Sequence, residues 1–86
     1  MHEFSLMNDL MTKILAVADE NSAPRVTRVE IWLGALCHLS ASHFRDHFVE
    51  AARGTLADGA SLNIEVSDDI HHPQAGDIRL LGIDVL

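Results

Sequence analysis

One stretch of the chain decides the fold: residues 26–33 read VTRVEIWL. In this stretch Val29, Ile31 and Leu33 occupy every second position, so in extended backbone their side chains lie on one side. The intervening residues face the other way: Arg28, Glu30 and Trp32. This period of two predicts a strand that buries its aliphatic face.

A helix is predicted on each side of this strand. Residues 4–19 place apolar side chains at spacings of three and four, which is the pattern of an amphipathic helix, and Pro24 stops the helix before the strand begins. After the strand, Ser40 or Ser42 can cap a second helix. This second helix runs to about residue 53 and also carries an apolar stripe.

Two further strands complete the pattern. Residues 62–66 alternate between apolar and polar side chains and predict a second strand. Residues 67–77 are a polar loop, and residues 78–86 predict a third strand. One face of the third strand is expected to hold three apolar side chains: Leu81, Ile83 and Val85. The order α-β-α-β-β predicts an α+β fold over residues 1–86, with a small three-stranded sheet packed with two helices.

The composition excludes several classes of protein. The chain has 86 residues, which is the length of one domain, and its 13 acidic and 6 basic residues give a formal net charge of −7. Because nucleic-acid binders present basic patches, no nucleic acid is expected as a partner. No apolar run approaches the ~20 residues of a membrane span, and Met1-His2-Glu3 lacks the basic start of a signal peptide. No association with a membrane is expected.

Cys37 is the only cysteine in the sequence. A single thiol excludes an intrachain disulfide and a four-cysteine zinc site, so no structural zinc is expected. It also fits a reducing compartment, and we expect a cytoplasmic protein. Cys37 and His38 could act as the nucleophile and base of a small enzyme. Neighbours in sequence seldom have that geometry, however, and a buried or half-buried cysteine is favoured.

The first residues carry a metal-binding pattern. The amine of Met1, the backbone nitrogen of His2 and the His2 imidazole can close adjacent five- and six-membered chelate rings. With the backbone nitrogen deprotonated they form a planar set that suits Ni(II) or Cu(II), whereas zinc prefers a tetrahedral site. The backbone nitrogen of Glu3, or a side chain from elsewhere, can fill the fourth position. The alternative is that His2 is incidental.

Two pairs of histidines are further candidates for metal binding. His43 and His47 lie four residues apart, so they share one face of the second helix and can clamp a metal. A solvated polar face is the alternative for this pair, and it is favoured. His71 and His72 are adjacent in the polar loop, where histidines are more often solvated than bound to a metal.

Several segments together resemble one protein family. They are residues 1–3 (MHE), 5–7 (SLM), 26–29 (VTRV), 34–36 (GAL), 53–60 (RGTLADGA), 62–64 (LNI) and 78–85 (IRLLGIDV). In this order they are similar to the HypA/HybF family of hydrogenase nickel-incorporation proteins, and the resemblance extends over nearly the whole chain.

The resemblance implies a nickel metallochaperone rather than an enzyme. In the family, Ni(II) is held by the amino terminus, the His2 side chain and the backbone around residues 2 and 3, which match Met1, His2 and Glu3 here. The implied partners are a GTPase accessory protein of nickel insertion and the large subunit of a [NiFe] hydrogenase, and sometimes the urease machinery. The implied function is nickel binding for maturation of [NiFe] hydrogenase.

Two departures from the family pattern affect this expectation. The family inserts a zinc domain with two CxxC pairs where this chain has the loop Ser67–Asp77, and the gap is either natural or an engineered deletion. Some members also have a carboxylate near position 40, where this chain has Ser40. The residues that could supply a further nickel ligand instead are His38, His43, His71 and His72.

A small sheet without the zinc lobe leaves its strand edges open, so a homodimer through an exposed edge is a possible arrangement. The alternative to nickel delivery is a zinc-free member of the family. Such a protein would act as a partner-binding or regulatory module in metalloenzyme maturation without delivering metal itself.

Overall fold

The computed structural model describes residues 3–86, with side chains from residue 6 onward. The elements follow the predicted order and have these bounds: α1, Glu3–Glu20; β1, Val26–Leu33; α2, Ala41–Ala52; β2, Ser61–Val66; and β3, Ile78–Val85. The predicted α+β fold is therefore confirmed. No helix in the described part of the chain is long and apolar enough to cross a membrane.

The strand quoted first, β1, lies in the middle of the sheet, whose order is β2-β1-β3. β1 pairs with β2 in parallel and with β3 in antiparallel orientation. A central strand has neighbours on both edges and helices on one face, which explains why Val29, Ile31 and Leu33 are each 0% exposed. The predicted direction of their side chains is confirmed.

Both helices begin at the end of the sheet where β1 finishes. α2 is the crossover between two parallel strands, so it runs back against their direction. α1 enters β1 through residues 21–25 and lies against β3 and α2. Leu6 near the start of α1 and Ile78 at the start of β3 line one groove. Ile78 pairs with Leu33 at the end of β1. The start of α1 therefore lies beside the end of β1, and α1 runs opposite to β1.

The helices bury the apolar stripes that their spacing predicts. Ile14 and Ala18 of α1 are 0% exposed, as is Phe44 of α2, whose ring stacks on Phe48 with 6.2 Å between centroids. Of the two predicted caps, Ser40 is the residue that caps α2: its hydroxyl accepts a hydrogen bond from the backbone N–H of His43 at 3.2 Å. The cap satisfies one of the N–H groups that a helix start leaves without a partner.

The prediction that Leu81 lies on one face of β3 with Ile83 and Val85 is wrong. The pairing between β1 and β3 slips by one residue, from Glu30 opposite Gly82 to Ile31 opposite Leu80. Leu81 lies between these two pairs and is 54% exposed. Such a bulge inserts one residue into the alternation. The apolar side chains of β3 that pack against the core therefore alternate before the bulge and again after it, but are out of step across it. They are Ile78, Leu80, Ile83 and Val85.

The loop over residues 67–77 folds back against the end of β1. The backbone N–H of Gly34 donates to the Asp77 carbonyl at 2.9 Å, and that of Leu36 donates to the Ala75 carbonyl at 2.7 Å. A side chain of the same loop, His72, packs its ring on Trp32 with 4.9 Å between centroids. Trp32 is thereby reduced to 9% exposure on the sheet face opposite the helices.

Candidate metal centre

The predicted nickel ligands Met1 and His2 lie outside the described residues. Glu3 is the first residue of α1, and its side chain is likewise not described. The first N–H groups of a helix have no acceptor within the helix, so the Glu3 backbone nitrogen is not needed by the hydrogen bonds of α1. The helix is held in place from its second turn onward, because Met7 and Leu10 are 6% and 7% exposed.

The fold gathers the other predicted ligands at the end of the molecule where α1 and α2 begin. We call this the helix-start end. His38 lies in the connection between β1 and α2, and His43 lies in the first turn of α2. His71 and His72 lie in the loop that joins β2 to β3, which also starts and finishes at this end. The segments are separate in sequence, and the sheet topology places them at the same end of the molecule without grouping three of these side chains in one site.

Within this group, one pair of imidazoles is in contact. The ring centroids of His43 and His47 are 5.6 Å apart, with their planes tilted by 39°. His43 is exposed and His47 is half-buried. The predicted sharing of one helix face by these two side chains is confirmed.

A small cavity lies beside His47, between the two helices. Its volume is about 160 Å³. Its walls are formed by α1 and α2 together: Met7, Asn8, His47, Glu50 and Ala51. Spacing within α2 could identify the histidine pair, but the neighbouring α1 residues could not be found this way, because their approach depends on how two helices distant in sequence pack on one sheet.

His72 has a structural role. Its Nδ1 accepts a hydrogen bond from the Gln74 backbone N–H at 3.0 Å, and its ring packs on Trp32. A nitrogen that accepts a hydrogen bond is not available to a metal, so His72 would have to give up this bond or bind through Nε2. The adjacent His71 is exposed, and its backbone N–H donates to the Asp69 carboxylate at 3.0 Å.

The thiol of Cys37 makes no catalytic pair with His38. Its Sγ donates to the Leu39 carbonyl at 3.6 Å, and the residue is half-buried. His38 is exposed and has a φ of 60°. This arrangement agrees with the prediction that Cys37 is a buried or half-buried cysteine rather than a nucleophile.

The described side chains do not by themselves form a closed metal site. Across residues 6–86 there is no group of three or more histidine, cysteine, aspartate or glutamate side chains that could hold a metal ion. A metal bound here would need donors from the amino terminus, from water or from both. The imidazoles of His43 and His47 on α2, which are in contact, could supply two of the donors.

Several known proteins are similar to this chain in sequence. A family model described as "Hydrogenase/urease nickel incorporation, metallochaperone, hypA" matches residues 1–71. The hydrogenase maturation factor HypA of Chlorobium limicola is 40% identical over 65 residues, which cover 76% of this chain and 56% of that protein. HypA of Archaeoglobus fulgidus is 33% identical over 81 residues, covering 94% of this chain and 67% of that one.

The solved structures agree in fold. The solution structure of the nickel metallochaperone HypA from Helicobacter pylori superposes with a TM-score of 0.83 at 20% identity, covering 100% of this chain and 98% of that chain. At this identity the superposition supports the fold alone. By sequence, the chain spans little more than half the length of the Chlorobium limicola relative.

Proposed function

We propose, since this chain belongs to the HypA family of nickel-incorporation metallochaperones, that it binds Ni(II) at its amino terminus for the maturation of a [NiFe] hydrogenase. The observation that carries the proposal is the match to the family model, which starts at residue 1 and so includes the Met1-His2-Glu3 sequence. The start of α1 at Glu3 supports it, because a packed helix holds the backbone next to these donors.

The proposed donors are four nitrogens. The Met1 amine, the His2 backbone nitrogen and the His2 imidazole would form the two fused chelate rings, and the Glu3 backbone nitrogen would complete the plane. Planar nitrogen sets suit Ni(II), and Cu(II) binds the same donors at least as tightly. Each nitrogen must lose or lack a proton before it binds, so the nickel affinity falls as the pH is lowered.

Nickel titration of untagged protein tests this proposal. We expect one Ni(II) per chain in planar nitrogen coordination, observed by its visible absorption and circular dichroism. His2→Ala should abolish the planar signal, and so should one extra residue before Met1, because it converts the amine into an amide. The matched control is His71→Ala, which removes an exposed imidazole and should leave the signal unchanged. A planar signal that survives both amino-terminal changes would contradict the proposal.

The proposed partners follow from the same family membership. We propose that the chain passes nickel, with a GTPase accessory protein, to the large subunit of a [NiFe] hydrogenase or to the urease machinery. Capture of purified GTPase by the chain, followed by nickel transfer to apo-hydrogenase large subunit, is the measurement. Capture of the GTPase by a wild-type chain that binds no nickel would instead favour the second function, a partner-binding module without metal delivery.

A further inference from the structure

We propose that His43 and His47 form a second divalent-metal site on α2, which binds Ni(II) independently of the amino terminus. The side chains lie one helical turn apart, with ring centroids separated by 5.6 Å. A metal held by two imidazole nitrogens at ~2.1 Å requires ring centres no more than roughly 6.5 Å apart. The separation of the pair therefore lies within this limit.

The surroundings leave room for the remaining coordination positions of the metal. His43 is exposed, so solvent reaches the pair from one side. On the other side lies the cavity of about 160 Å³ between α1 and α2, which His47 and Glu50 line. Two imidazoles bind two positions of an octahedral ion, and water can occupy the others.

The charge around the pair has two opposing parts. His43 lies in the first turn of α2, where the positive end of the helix dipole disfavours a bound cation. Against this, the chain has a formal net charge of −7, and Asp46 lies three residues after His43 on the same helix, within reach of the same side of α2. The excess of carboxylates therefore favours a divalent cation over an anion at this place.

Imidazole nitrogens suit nickel, copper and zinc, whereas magnesium and calcium prefer oxygen. The ion expected at this pair is therefore a divalent transition metal. Among these metals, Ni(II) is the one that the proposed function supplies. With four positions left to water, Ni(II) here would be octahedral and paramagnetic. Ni(II) in a planar nitrogen set is diamagnetic, so the two sites have different spectroscopic signatures.

The pair lies close to the start of α1. Met7 and Asn8 of α1 line the same cavity as His47, and Glu3 precedes Met7 by four residues, or ~6 Å of helix rise. A nickel ion at this pair would be held near the proposed amino-terminal site, as a second ion available for transfer. Both proposed ligands lie on α2, so nickel binding at this pair does not require nickel at the amino terminus.

The test uses untagged His2→Ala protein, in which the amino-terminal donors are incomplete, titrated with Ni(II) alone. We expect one paramagnetic Ni(II) per chain, with selective broadening of the His43 and His47 ring signals in the NMR spectrum. Adding His43→Gln and His47→Gln should remove this binding. The matched control adds His38→Gln and His71→Gln, which also deletes two exposed imidazoles, and it should retain the binding.

Thermal unfolding gives an independent readout. The amino-terminal donors are consecutive in sequence and persist in the unfolded chain, whereas the α2 pair exists only when the helix is formed. A ligand that binds only the folded state stabilises it, so Ni(II) should raise the unfolding midpoint of His2→Ala protein but not that of the variant lacking both α2 histidines. The single change His43→Gln, at an exposed position, should also lower nickel affinity at least tenfold without altering the metal-free midpoint.

Three results would overturn the second site. The first is a His2→Ala protein that binds no Ni(II). The second is nickel binding that survives the double change on α2. The third is equal loss of binding in the His38→Gln, His71→Gln control, which would indicate nonspecific binding to surface imidazoles. A failure of the amino-terminal proposal has a different signature, because it removes the planar diamagnetic signal from the wild-type chain and leaves the paramagnetic one.

Discussion

At the scale of single residues, Gly34 is a position with no room for a side chain. It follows the last residue of β1, and the residue 67–77 loop crosses directly over it. A Cβ built on Gly34 would overlap the backbone carbonyls of Ala75 and Gln74. The close approach is fixed by the hydrogen bonds that Gly34 and Leu36 donate to this loop, so the backbone cannot withdraw without losing them.

We therefore expect Gly34→Ala to destabilise the fold by about 2–3 kcal/mol, the cost of forcing a methyl group into a filled space. Gly76→Ala is the control in the same loop, because a Cβ there meets no atom within 4 Å. It should change the free energy of unfolding by less than about 0.5 kcal/mol. Urea unfolding measures both, with the midpoint shifting at constant slope. A Gly34→Ala midpoint equal to that of the wild type would show that the loop can move away from β1.

His72 shows where prediction of single residues from sequence stops. Spacing and composition place it correctly in a polar loop and make it a reasonable ligand candidate. They do not reveal that its Nδ1 accepts the Gln74 N–H or that its ring packs on Trp32. Both contacts depend on the loop folding back over β1, and that path is decided by backbone hydrogen bonds distant in sequence.

At the scale of elements, β3 shows how a bulge changes which side chains are buried. Strict alternation from Val85 backwards would bury Ile83 and Leu81. The observed slip in pairing with β1 instead turns Leu80 towards the core and leaves Leu81 exposed. The two neighbouring leucines thus have opposite surroundings, although they are chemically identical.

Leu80→Ala should therefore destabilise the fold by about 2 kcal/mol, the lower end of the range for buried leucines, because Leu80 is only half-buried. Leu81→Ala should cost less than about 0.5 kcal/mol, since its side chain is largely in water. Each variant serves as the control for the other in thermal or urea unfolding. Strand alternation without the bulge predicts the opposite order, so a larger loss for Leu81→Ala would argue against the bulge.

The remaining elements were predictable because their signals are local. The apolar spacing of α1, the serine before α2 and the alternation of β1 act within a few residues, and the predicted bounds agree with the structure to within about two residues. The bulge in β3 was not predictable, because it is a property of two strands. It depends on which residue of β1 each residue of β3 meets.

At the scale of the whole molecule, the same distinction applies to the candidate metal centre. Each candidate histidine can be predicted from its own segment of the sequence. Their common position at the helix-start end cannot, because it depends on the strand order β2-β1-β3 and on α2 crossing between two parallel strands. The amino-terminal site itself remains a prediction, since Met1 and His2 lie outside the described residues.

The whole fold is also expected to be independent of zinc. The described core is continuous from α1 through β1 to α2, and its largest fully buried side chains come from all three: Ile14, Val26, Val29, Ile31, Leu33 and Phe44. A structural zinc contributes folding energy directly, so proteins that depend on it unfold when a chelator removes it. With Cys37 as its only cysteine, this chain cannot build a four-cysteine zinc site.

We therefore expect an excess of EDTA to leave the thermal unfolding midpoint of the chain, purified without added metal, unchanged within about 1 °C, because residues 6–86 contain no group of three or more side chains that could hold a stabilising metal. The control is the same protein loaded with Ni(II). There EDTA should lower the midpoint only by the amount that nickel raised it, and the His43→Gln, His47→Gln variant should show neither shift. A midpoint that falls when EDTA is added to the chain purified without added metal would mean that a metal retained through purification stabilises the fold. Its ligands would then include water or donors outside residues 6–86.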